Sequence, residues 1–489
     1  MALHAGKILR RLLLIVAYVA TGSAAAVDPQ ALARLNSGVD WLAKGDADRA
    51  IAEFNEALRI DPQLAAAYIQ RGNAWKKKGD HDWAITDYDK AVELNPKDVA
   101  AYLSRAAAWE AKGNIDRAIA DCSNALRADP QSAAAFNSRG TLLKKRGNLD
   151  LAIADFGEAI RIAPSDGAAY NSRGSAWAGK GNREKAMADY NAAIRFNPGD
   201  AAAYANRCSA WGGSGDFDRA IADCSEAIRL DPHYALAYTN RGNAWSDKGD
   251  KEQAMADYKE ALRVDPKNAL AYFNRGTAWL NKGDADRATL DYNEAIRLSP
   301  RFAVAYLSRG NAWTKKGYYD WAIADYNEAV RLSPKYAEAY HARGTARSLK
   351  GDHGAAADFD EALRLNPQKT ETLIWRFFAR AREKGAAEAA SQLQAAAPAA
   401  AGDKWPMPVI DVLLGRGDPA LLLKAAESPS ANVRQTQRCE ADYYLGAYRV
   451  LMNDPGEARP LLERAQQECP KGMTAIFAAV REELKRLEN

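Results

Sequence analysis

Proline returns along this chain with a fixed period of 34 residues. Nine prolines keep the period, and a tenth follows after the deletion of one residue. They are Pro62, Pro96, Pro130, Pro164, Pro198, Pro232, Pro266, Pro300, Pro334 and Pro367. A period of this size is typical of helical repeat arrays, in which each repeat buries its apolar faces only against its neighbours. The sequence therefore predicts an all-α solenoid rather than a few independent globular domains, although its length would allow them.

Each unit carries the pattern of two amphipathic helices. Counted from the third residue after each proline, apolar or small residues fall at positions 4, 8 and 11 of a first segment and at 20, 24 and 27 of a second. Both sets have helical spacing. A glycine such as Gly79, Gly113 or Gly249 ends the first segment, and an Asp or Asn follows at the start of the second. Tryptophan stands at position 11 of eight units and is predicted to pack in the core.

These residues closely resemble the tetratricopeptide repeat. The units read roughly Ala-Tyr-x-x-Arg-Gly-x-Ala-Trp-x-x-Lys-Gly-Asp in the first segment and Ala-Ile-Ala-Asp-Tyr-x-x-Ala-Ile-Arg-Leu-x-Pro in the second. The resemblance extends over ten units, from about Ala31 to Pro367. It implies a right-handed superhelix of helix-turn-helix units, in which the first helices line a concave groove that binds a protein or an extended peptide.

The N-terminus has the pattern of a secretory signal peptide. Basic residues precede an apolar run from Leu12 to Ala20, and small residues end at Ala26. We expect residues 1–26 to be removed on export to the periplasm or the cell exterior, and retention as a membrane anchor is the alternative. The apolar run is short for a bilayer span and no later stretch reaches ~18 apolar residues, so no integral span is expected after cleavage.

Four regions are expected along the chain: the signal peptide at 1–26, ten tandem repeats at 27–367, a degenerate repeat helix with an Ala/Pro linker at 368–403, and a C-terminal helical region at 404–489. The last region should hold one further repeat at 439–470 and a final capping helix. This tail resembles the corresponding part of periplasmic tetratricopeptide adaptor lipoproteins of the new-lipoprotein-I type. The chain has no cysteine near the cleavage point, so membrane tethering is not implied.

Composition and motifs argue against several other functions. The 67 basic and 63 acidic side chains nearly balance, with a net charge of +4, which gives no indication of nucleic-acid binding. The histidines lack partners at ligand spacing, so we expect His81, His233, His341 and His353 at the surface and no metal site. We also expect no catalytic residue, no cofactor and no small-molecule substrate, and the chain is predicted not to be an enzyme.

Five cysteines in an exported chain raise the question of disulfides. In the antiparallel helices of one unit, two residues lie at the same level when their position numbers add up to about 31 or 32. This rule pairs Cys208 with Cys224 and Cys439 with Cys469. For the first pair the alternative is volume compensation, because two cysteines stand where other units have glycine and tyrosine. Cys122 is left as a small buried residue.

In the family that the repeats resemble, positions 2, 5, 6, 9, 12 and 13 face the groove, and here asparagine recurs among them. The candidates for partner binding are Asn73, Asn206, Asn240, Asn243, Asn274 and Asn311. Side-chain amides can pair with a peptide backbone, so an asparagine row can hold an extended chain with little sequence preference. Such a row resembles the one in the repeat domain of O-linked N-acetylglucosamine transferases. The alternative is that asparagine is only a soluble residue at these positions.

Arginine stands at position 7 of nine successive units, where the family usually has leucine, and the same units have aspartate at position 23. The arginines could bind a ligand or form a structural ladder. Antiparallel helices bring positions 7 and 23 to nearly the same level, where a guanidinium can bind a carboxylate through two hydrogen bonds. The sequence therefore favours structural ion pairs within each repeat, such as Arg241 with Asp257 and Arg275 with Asp291.

Two functions are compatible with these features. The favoured one is a non-catalytic scaffold or adaptor of the bacterial cell envelope, which binds an extended peptide or a partner protein in the groove. The alternative is an accessory subunit of an envelope enzyme or secretion complex, which docks through its convex face or its C-terminal tail.

Overall fold

The computed structural model describes residues 27–397, 405–470 and 473–488. All regular structure within these ranges is helical, and the prediction of an all-α array of helical hairpins is confirmed. The chain divides after Ala210 into two compact units. The predicted signal peptide at 1–26 and positions 398–403 of the predicted linker lie outside the described residues.

The described part of the first unit alternates first and second helices of successive repeats, so that odd-numbered helices are first helices. They are α1 (Pro29–Ala43), α2 (Ala47–Ile60), α3 (Ala65–Lys78), α4 (His81–Leu94), α5 (Val99–Ala111), α6 (Ile115–Ala128), α7 (Ala133–Lys145), α8 (Leu149–Ile162), α9 (Gly167–Gly179), α10 (Arg183–Phe196) and α11 (Ala201–Gly212). The boundary between the units falls within α11.

The second unit continues the alternation and then adds a helical tail. The repeat helices are α12 (Phe217–Leu230), α13 (Ala235–Lys248), α14 (Lys251–Val264), α15 (Ala269–Asn281), α16 (Ala285–Leu298), α17 (Ala303–Lys316), α18 (Tyr319–Leu332), α19 (Ala337–Lys350), α20 (Ala355–Leu365), α21 (Thr370–Lys384) and α22 (Ala386–Ala396). The tail helices are α23 (Met407–Leu413), α24 (Pro419–Ala425), α25 (Ala431–Leu451), α26 (Pro455–Glu468) and α27 (Thr474–Arg486).

Inside a typical repeat, an aromatic ring at position 24 packs on the glycine at position 8. A Cβ atom placed on Gly72 would lie 2.6 Å from Cε1 of Tyr88, whose side chain is fully buried. Gly242 and Tyr258 make the same contact, again with 2.6 Å between the added Cβ and Cε1. Because van der Waals contact needs a larger separation, only glycine allows the ring to lie between the two helices at this position.

The turn between the two helices of a repeat uses a second glycine. Gly79 and Gly249 have φ angles of +89° and +99°, in the left-handed region that glycine adopts without strain. Asp250 follows, and its side chain caps the next helix, which begins at Lys251, by accepting a hydrogen bond from the backbone N–H of Gln253. The predicted helix-ending glycines are therefore confirmed.

First helices of consecutive repeats contact each other within each unit, for example α3 with α5 and α15 with α17. Second helices make no comparable contact with one another among the described residues, and instead pack against the first helices on either side. The surface formed by the odd-numbered repeat helices is called the inner face below. It corresponds to the side that the sequence predicted to bind a partner.

The tail belongs to the same core as the last repeats. One hydrophobic cluster extends from Leu349 in α19 through Trp375 and Phe378 in α21 to Tyr443 in α25 and Val480 in α27. Helix α25 begins at Ala431, before the start predicted for the further repeat. The described helices include none that is long and apolar enough to cross a membrane.

Candidate functional site

Within each compact unit, the arginines of position 7 are held by the aspartates of their own repeats. Arg241 donates from Nε to Asp257 Oδ2 over 2.8 Å and from Nη2 to Asp257 Oδ1 over 2.7 Å. Arg275 binds Asp291 in the same way, with both distances between 2.7 and 2.8 Å. Asp257 and Asp291 are only 5% and 6% exposed. The hydrogen bond with Asp257 raises the pKa of Arg241, which outweighs the opposing effect of burial.

The same arginines also join neighbouring repeats. Arg241 donates from Nη1 to Oγ of Ser225, which stands at position 25 of the preceding repeat, over 3.0 Å. Its guanidinium also lies 5.7 Å from the ring centroid of Tyr238. All three guanidinium nitrogens of Arg241 thus donate hydrogen bonds within the protein, so the geometry gives this arginine a structural role.

The first unit holds two of the six candidate asparagines. Asn73 in α3 accepts a hydrogen bond from the hydroxyl of Tyr88 over 2.8 Å. Asn206 in α11 donates from Nδ2 to Asn171 Oδ1 in α9 over 2.8 Å. The two residues belong to the second and sixth repeats, so they do not share a site. Asn73 orients a buried tyrosine, whereas Asn206 lines an open cavity of the inner face.

The other four candidates lie in the second unit, and two of them meet. Asn274 in α15 donates from Nδ2 to Asn243 Oδ1 in α13 over 2.8 Å, and Asn243 Oδ1 also accepts from the Tyr258 hydroxyl over 2.9 Å. Asn311 accepts from the hydroxyl of Tyr326 over 2.8 Å. Asn240 is half-buried in α13. The oxygens of the position-9 asparagines are therefore occupied by tyrosine, which the sequence pattern did not reveal.

Two cavities open on the inner face of the first unit, each with a volume of about 310 Å³. Cavity I lies across α5, α7 and α9 and is lined by Leu103, Ala106, Ala107, Glu110, Cys122, Asn137, Ser138, Thr141, Leu142, Ala168 and Ser172. Cavity II lies between α9, α10 and α11 and is lined by Ser175, Ala178, Gly181, Arg183, Ala186, Tyr190, Asn206, Ser209 and Ala210. Most of the cavity I residues occupy the positions that the sequence predicted to face a partner.

The inner face of the second unit is covered in part by the last helix of the chain. Helix α27 packs along α17 and α19. Thr314 and Ser348, both at position 12 of these helices, are 3% and 6% exposed, whereas Ser246 at position 12 of α13 is exposed. Position 12 is therefore buried in the two helices that α27 covers and exposed in α13.

Hydrogen bonds and ion pairs hold α27 in place. The hydroxyl of Tyr319 donates to Glu482 Oε1 over 2.8 Å, and Arg486 Nη2 donates to the carbonyl oxygen of Ser348 over 3.4 Å. Glu483, only 2% exposed, forms an ion pair with Arg382 of α21. The predicted capping helix therefore packs on the inner face of the repeats as well as on the tail.

Cys439 and Cys469 form a disulfide that joins α25 to the end of α26. Cys208 and Cys224 are also disulfide-bonded. Cys122 is a free and buried cysteine. The structure thus brings together the residues of the second predicted pair and gives Cys122 the buried position expected from the sequence.

His341 is not at the surface, so that expectation was wrong. It is 9% exposed in α19, and its Nδ1 lies 3.0 Å from the Thr372 hydroxyl. Burial, assisted by the charge of Lys369, lowers its pKa to about 3. The side chain is buried because α21 packs against α19, a contact that the repeat pattern alone did not specify. Within the described ranges, no group of three or more His, Cys, Asp or Glu residues could hold a metal ion.

The tryptophans of position 11 are half-buried rather than fully in the core. In several repeats a cation at position 19 covers the ring, as Arg117 does over Trp109 at 4.5 Å.

A second feature missed in the sequence is a set of ion pairs between a base at position 14 and an acid at position 18 of the preceding repeat. They include Lys78–Asp48, Arg146–Asp116, Lys248–Asp218, Lys282–Glu252, Lys316–Asp286 and Lys350–Asp320. The regular spacing of these charges was the signal that could have revealed them.

Helical hairpins stacked at a fixed period define a helical repeat array. Protein-family comparisons match the tetratricopeptide repeat over residues 65–98, 137–201, 212–261 and 269–302 and the TPR repeat over 42–79, 242–283 and 310–351. Together these matches cover more than half of the chain. The protein therefore belongs to the tetratricopeptide repeat family.

Solved structures similar to parts of this chain were found as well. MamA is 27% identical over 33% of this chain and 94% of its own, with a TM-score of 0.31. YrrB, described as a TPR protein with an unusual peptide-binding site, is 23% identical over 38% of this chain and 95% of its own, with a TM-score of 0.31. A tetratricopeptide repeat protein from Parabacteroides merdae is 19% identical over 58% of this chain and 98% of its own, with a TM-score of 0.39. No curated protein sequence matches significantly.

Proposed function

We propose that this protein is a non-catalytic scaffold that binds a segment of a partner protein on the inner faces of its repeats. The segment is an extended peptide or a helix of the partner. Repeat arrays present long surfaces of regularly spaced side chains, which suits recognition of a polypeptide better than turnover of a small molecule. The proposed partner is a protein, and the proposal includes no cofactor and no nucleic acid.

One observation carries this proposal most directly: α27 already lies on the inner face of α17 and α19. Its apolar side, which includes Ile476 and Val480, is at most 3% exposed. Its polar residues are bound by Tyr319 and Arg382 from the repeats. The inner face of these repeats is therefore complementary to a polypeptide segment.

The open inner face of the first unit supports the same proposal. It presents cavities I and II, with no described segment of the first unit lying over them in the way that α27 covers α17. Cavity II combines Asn206 and Ser209 with the exposed Arg183. These groups can exchange hydrogen bonds with a peptide backbone or bind an acidic side chain.

We also propose that the protein acts in the bacterial cell envelope. The proposal is supported by the signal-peptide pattern of residues 1–26 and by the disulfide between Cys439 and Cys469. Disulfides persist in oxidising compartments and are rare in the cytosol. The resemblance of the tail to periplasmic adaptor lipoproteins remains a prediction on which this proposal does not depend.

A second candidate function is docking to a larger complex through the second helices. Four large apolar side chains on these helices are between 55% and 65% exposed: Trp83, Leu151, Leu290 and Trp321. Exposed apolar residues of this size mark protein contacts where they form a continuous patch. This function corresponds to an accessory subunit that is held by its outer surface.

The test is a selection of random linear peptides on the purified full chain, followed by affinity measurement for the enriched peptides. Ser209→Trp places a bulky side chain in cavity II, and we expect it to weaken binding about tenfold or more for peptides that cross this cavity. Ser165→Trp, in the exposed turn after Pro164, is the matched control and should leave affinity unchanged. Enrichment of no peptide at all, or equal binding by every inner-face variant, would contradict the proposal.

A further inference from the structure

The third repeat lacks the pairing of glycine and aromatic ring found in most other repeats. Its position 8 is Ala106 and its position 24 is Cys122. In the fourth repeat, a Cβ atom on Gly140 would lie 2.8 Å from Cε1 of Phe156, so alanine and the ring exclude each other. In the third repeat there is no ring to accommodate, and alanine fits. The paired change replaces an aromatic ring between α5 and α6 with the smaller thiol of Cys122 and adds one methyl group at Ala106.

Cavity I lies where that ring is missing. Cys122 is part of its lining, together with Ala106 from α5 and Leu142 from α7. These three residues are at most 3% exposed, so they form a buried apolar floor. Ala168 of α9 is exposed and lies at the mouth. With a volume of about 310 Å³, the cavity is large enough for one apolar side chain.

One polar atom in the lining has no partner. Asn137 donates from Nδ2 to Asp166 Oδ2 over 2.8 Å. Its Oδ1 atom is buried and accepts no hydrogen bond from any described residue. Buried acceptors are normally paired, so this oxygen is left unsatisfied, and it reaches a donor from a bound segment once the side chain of Asn137 turns toward the cavity.

Cys122 itself has the properties of an apolar wall rather than of a reactive group. Burial raises the pKa of its thiol to about 12, so the thiol is protonated at neutral pH. A protonated, buried cysteine is a small hydrophobic side chain. The floor of cavity I is therefore uncharged, and the charged residue of its lining, Glu110, forms an ion pair with Lys145.

We infer that cavity I is a specificity pocket, which takes one apolar side chain of the size of Leu, Met or Phe from the bound segment. A backbone N–H group of that segment donates to Asn137 Oδ1. The inference rests on the proposed function, because it assumes that the inner face binds a polypeptide. It adds that the binding has a sequence preference, which an asparagine row alone would not provide.

The repeats themselves supply the variant that closes the pocket. Ala106→Gly combined with Cys122→Phe recreates the pair that the fourth repeat has in Gly140 and Phe156. Phenylalanine is preferred over tyrosine because position 9 of the third repeat is Ala107, which cannot accept a hydrogen bond from a tyrosine hydroxyl as Asn73 does. We expect the variant to fold with an unchanged or higher melting temperature, because filling a cavity with a side chain that fits is favourable.

The experiment uses peptides selected from a random linear library by the wild-type full chain. We expect the selected peptides to share one apolar position, and the double variant to bind them roughly ten- to a hundredfold more weakly, the factor for burial of one such side chain. Ser165→Trp adds an aromatic ring in the exposed turn outside cavity I and should bind within about twofold. Ala107→Leu fills the mouth and should also weaken binding, which provides a second test if the double variant does not fold.

The possible failures are distinguishable. Peptides that bind equally well to the wild type, the double variant and Ala107→Leu would overturn the inference and leave the proposed function intact. Selected peptides without a common apolar position would also overturn it. If neither the wild type nor any variant enriches a peptide, the proposed function fails and the inference fails with it.

Discussion

Arg241 shows how a single side chain can serve two repeats at once. Its guanidinium binds Asp257 twice within the seventh repeat and Ser225 once in the sixth, and it lies over the ring of Tyr238. Each nitrogen of the guanidinium thus donates a hydrogen bond within the protein. The arginine column is therefore a stabilising element of the array, and partner binding falls to the side chains around the cavities.

The first prediction concerns this pair. Arg241→Leu should lower the free energy of unfolding by roughly 3–5 kcal/mol, because it leaves the carboxylate of Asp257 buried without its partner. Adding Asp257→Leu should restore much of the loss, since the buried charge is then removed as well. Urea denaturation of the two variants and the wild type measures both effects. Additive losses in the double variant would show that the two residues do not act as a pair.

His341 gives a prediction for pH dependence. Burial lowers its pKa to about 3 in the folded protein, while an unfolded histidine titrates near 6.5. Between these values the unfolded state binds the extra proton, so stability falls as pH drops through this window, by about 1.4 kcal/mol per unit for this group. His341→Asn should reduce that slope, as measured by urea denaturation at several pH values. An unchanged slope would mean that His341 is protonated in the folded state.

The helical hairpin depends on a pair of residues, the glycine at position 8 and the aromatic ring at position 24. The helices themselves were predictable, because proline, the turn glycines and the apolar spacing are local signals. The fit of ring and glycine is also visible in the sequence once the two positions are seen to change together, as they do in Ala106 and Cys122. The cavity that results was not predictable, because its lining comes from three repeats.

A substitution in the seventh repeat tests this fit. Gly242→Ala should destabilise the protein by roughly 1–3 kcal/mol, because its Cβ atom would lie 2.6 Å from the ring of Tyr258. Gly199→Ala is the matched control, since an added Cβ there lies 3.5 Å from its nearest neighbour, and its effect should stay within about 0.5 kcal/mol. Thermal unfolding compares the two. Equal effects would show that the ring can move away without cost.

Across the whole chain, the sequence predicted the structure of the repeats more completely than the packing of the tail. The ten hairpins were predicted because each repeats the same local pattern. The packing of α27 on α17 and α19 was not predicted, because it joins segments more than a hundred residues apart through individual contacts such as Tyr319 with Glu482. The cluster from Leu349 to Val480 shows that the tail is part of the fold of the last repeats.

This shared core predicts the result of removing the tail. A chain that ends at residue 397 would expose Trp375, Phe378 and the inner surface of α21, which are buried against the tail. We expect it to unfold at a lower temperature than the full chain and to bind a hydrophobic dye in its last repeats. An unchanged melting curve would show that the tail is an independent module.

The most direct measurement of the proposed function is site-specific photocrosslinking in cells that produce the protein, with benzoylphenylalanine at one position at a time. Ala111 and Ala134 place the probe at exposed positions of first helices in the first unit, outside the lining of cavities I and II, and Trp83 and Leu151 place it on second helices. The proposal predicts one protein crosslinked from both inner-face positions and not from the second helices. Crosslinks from Trp83 or Leu151 alone would contradict it and favour docking through the outer surface.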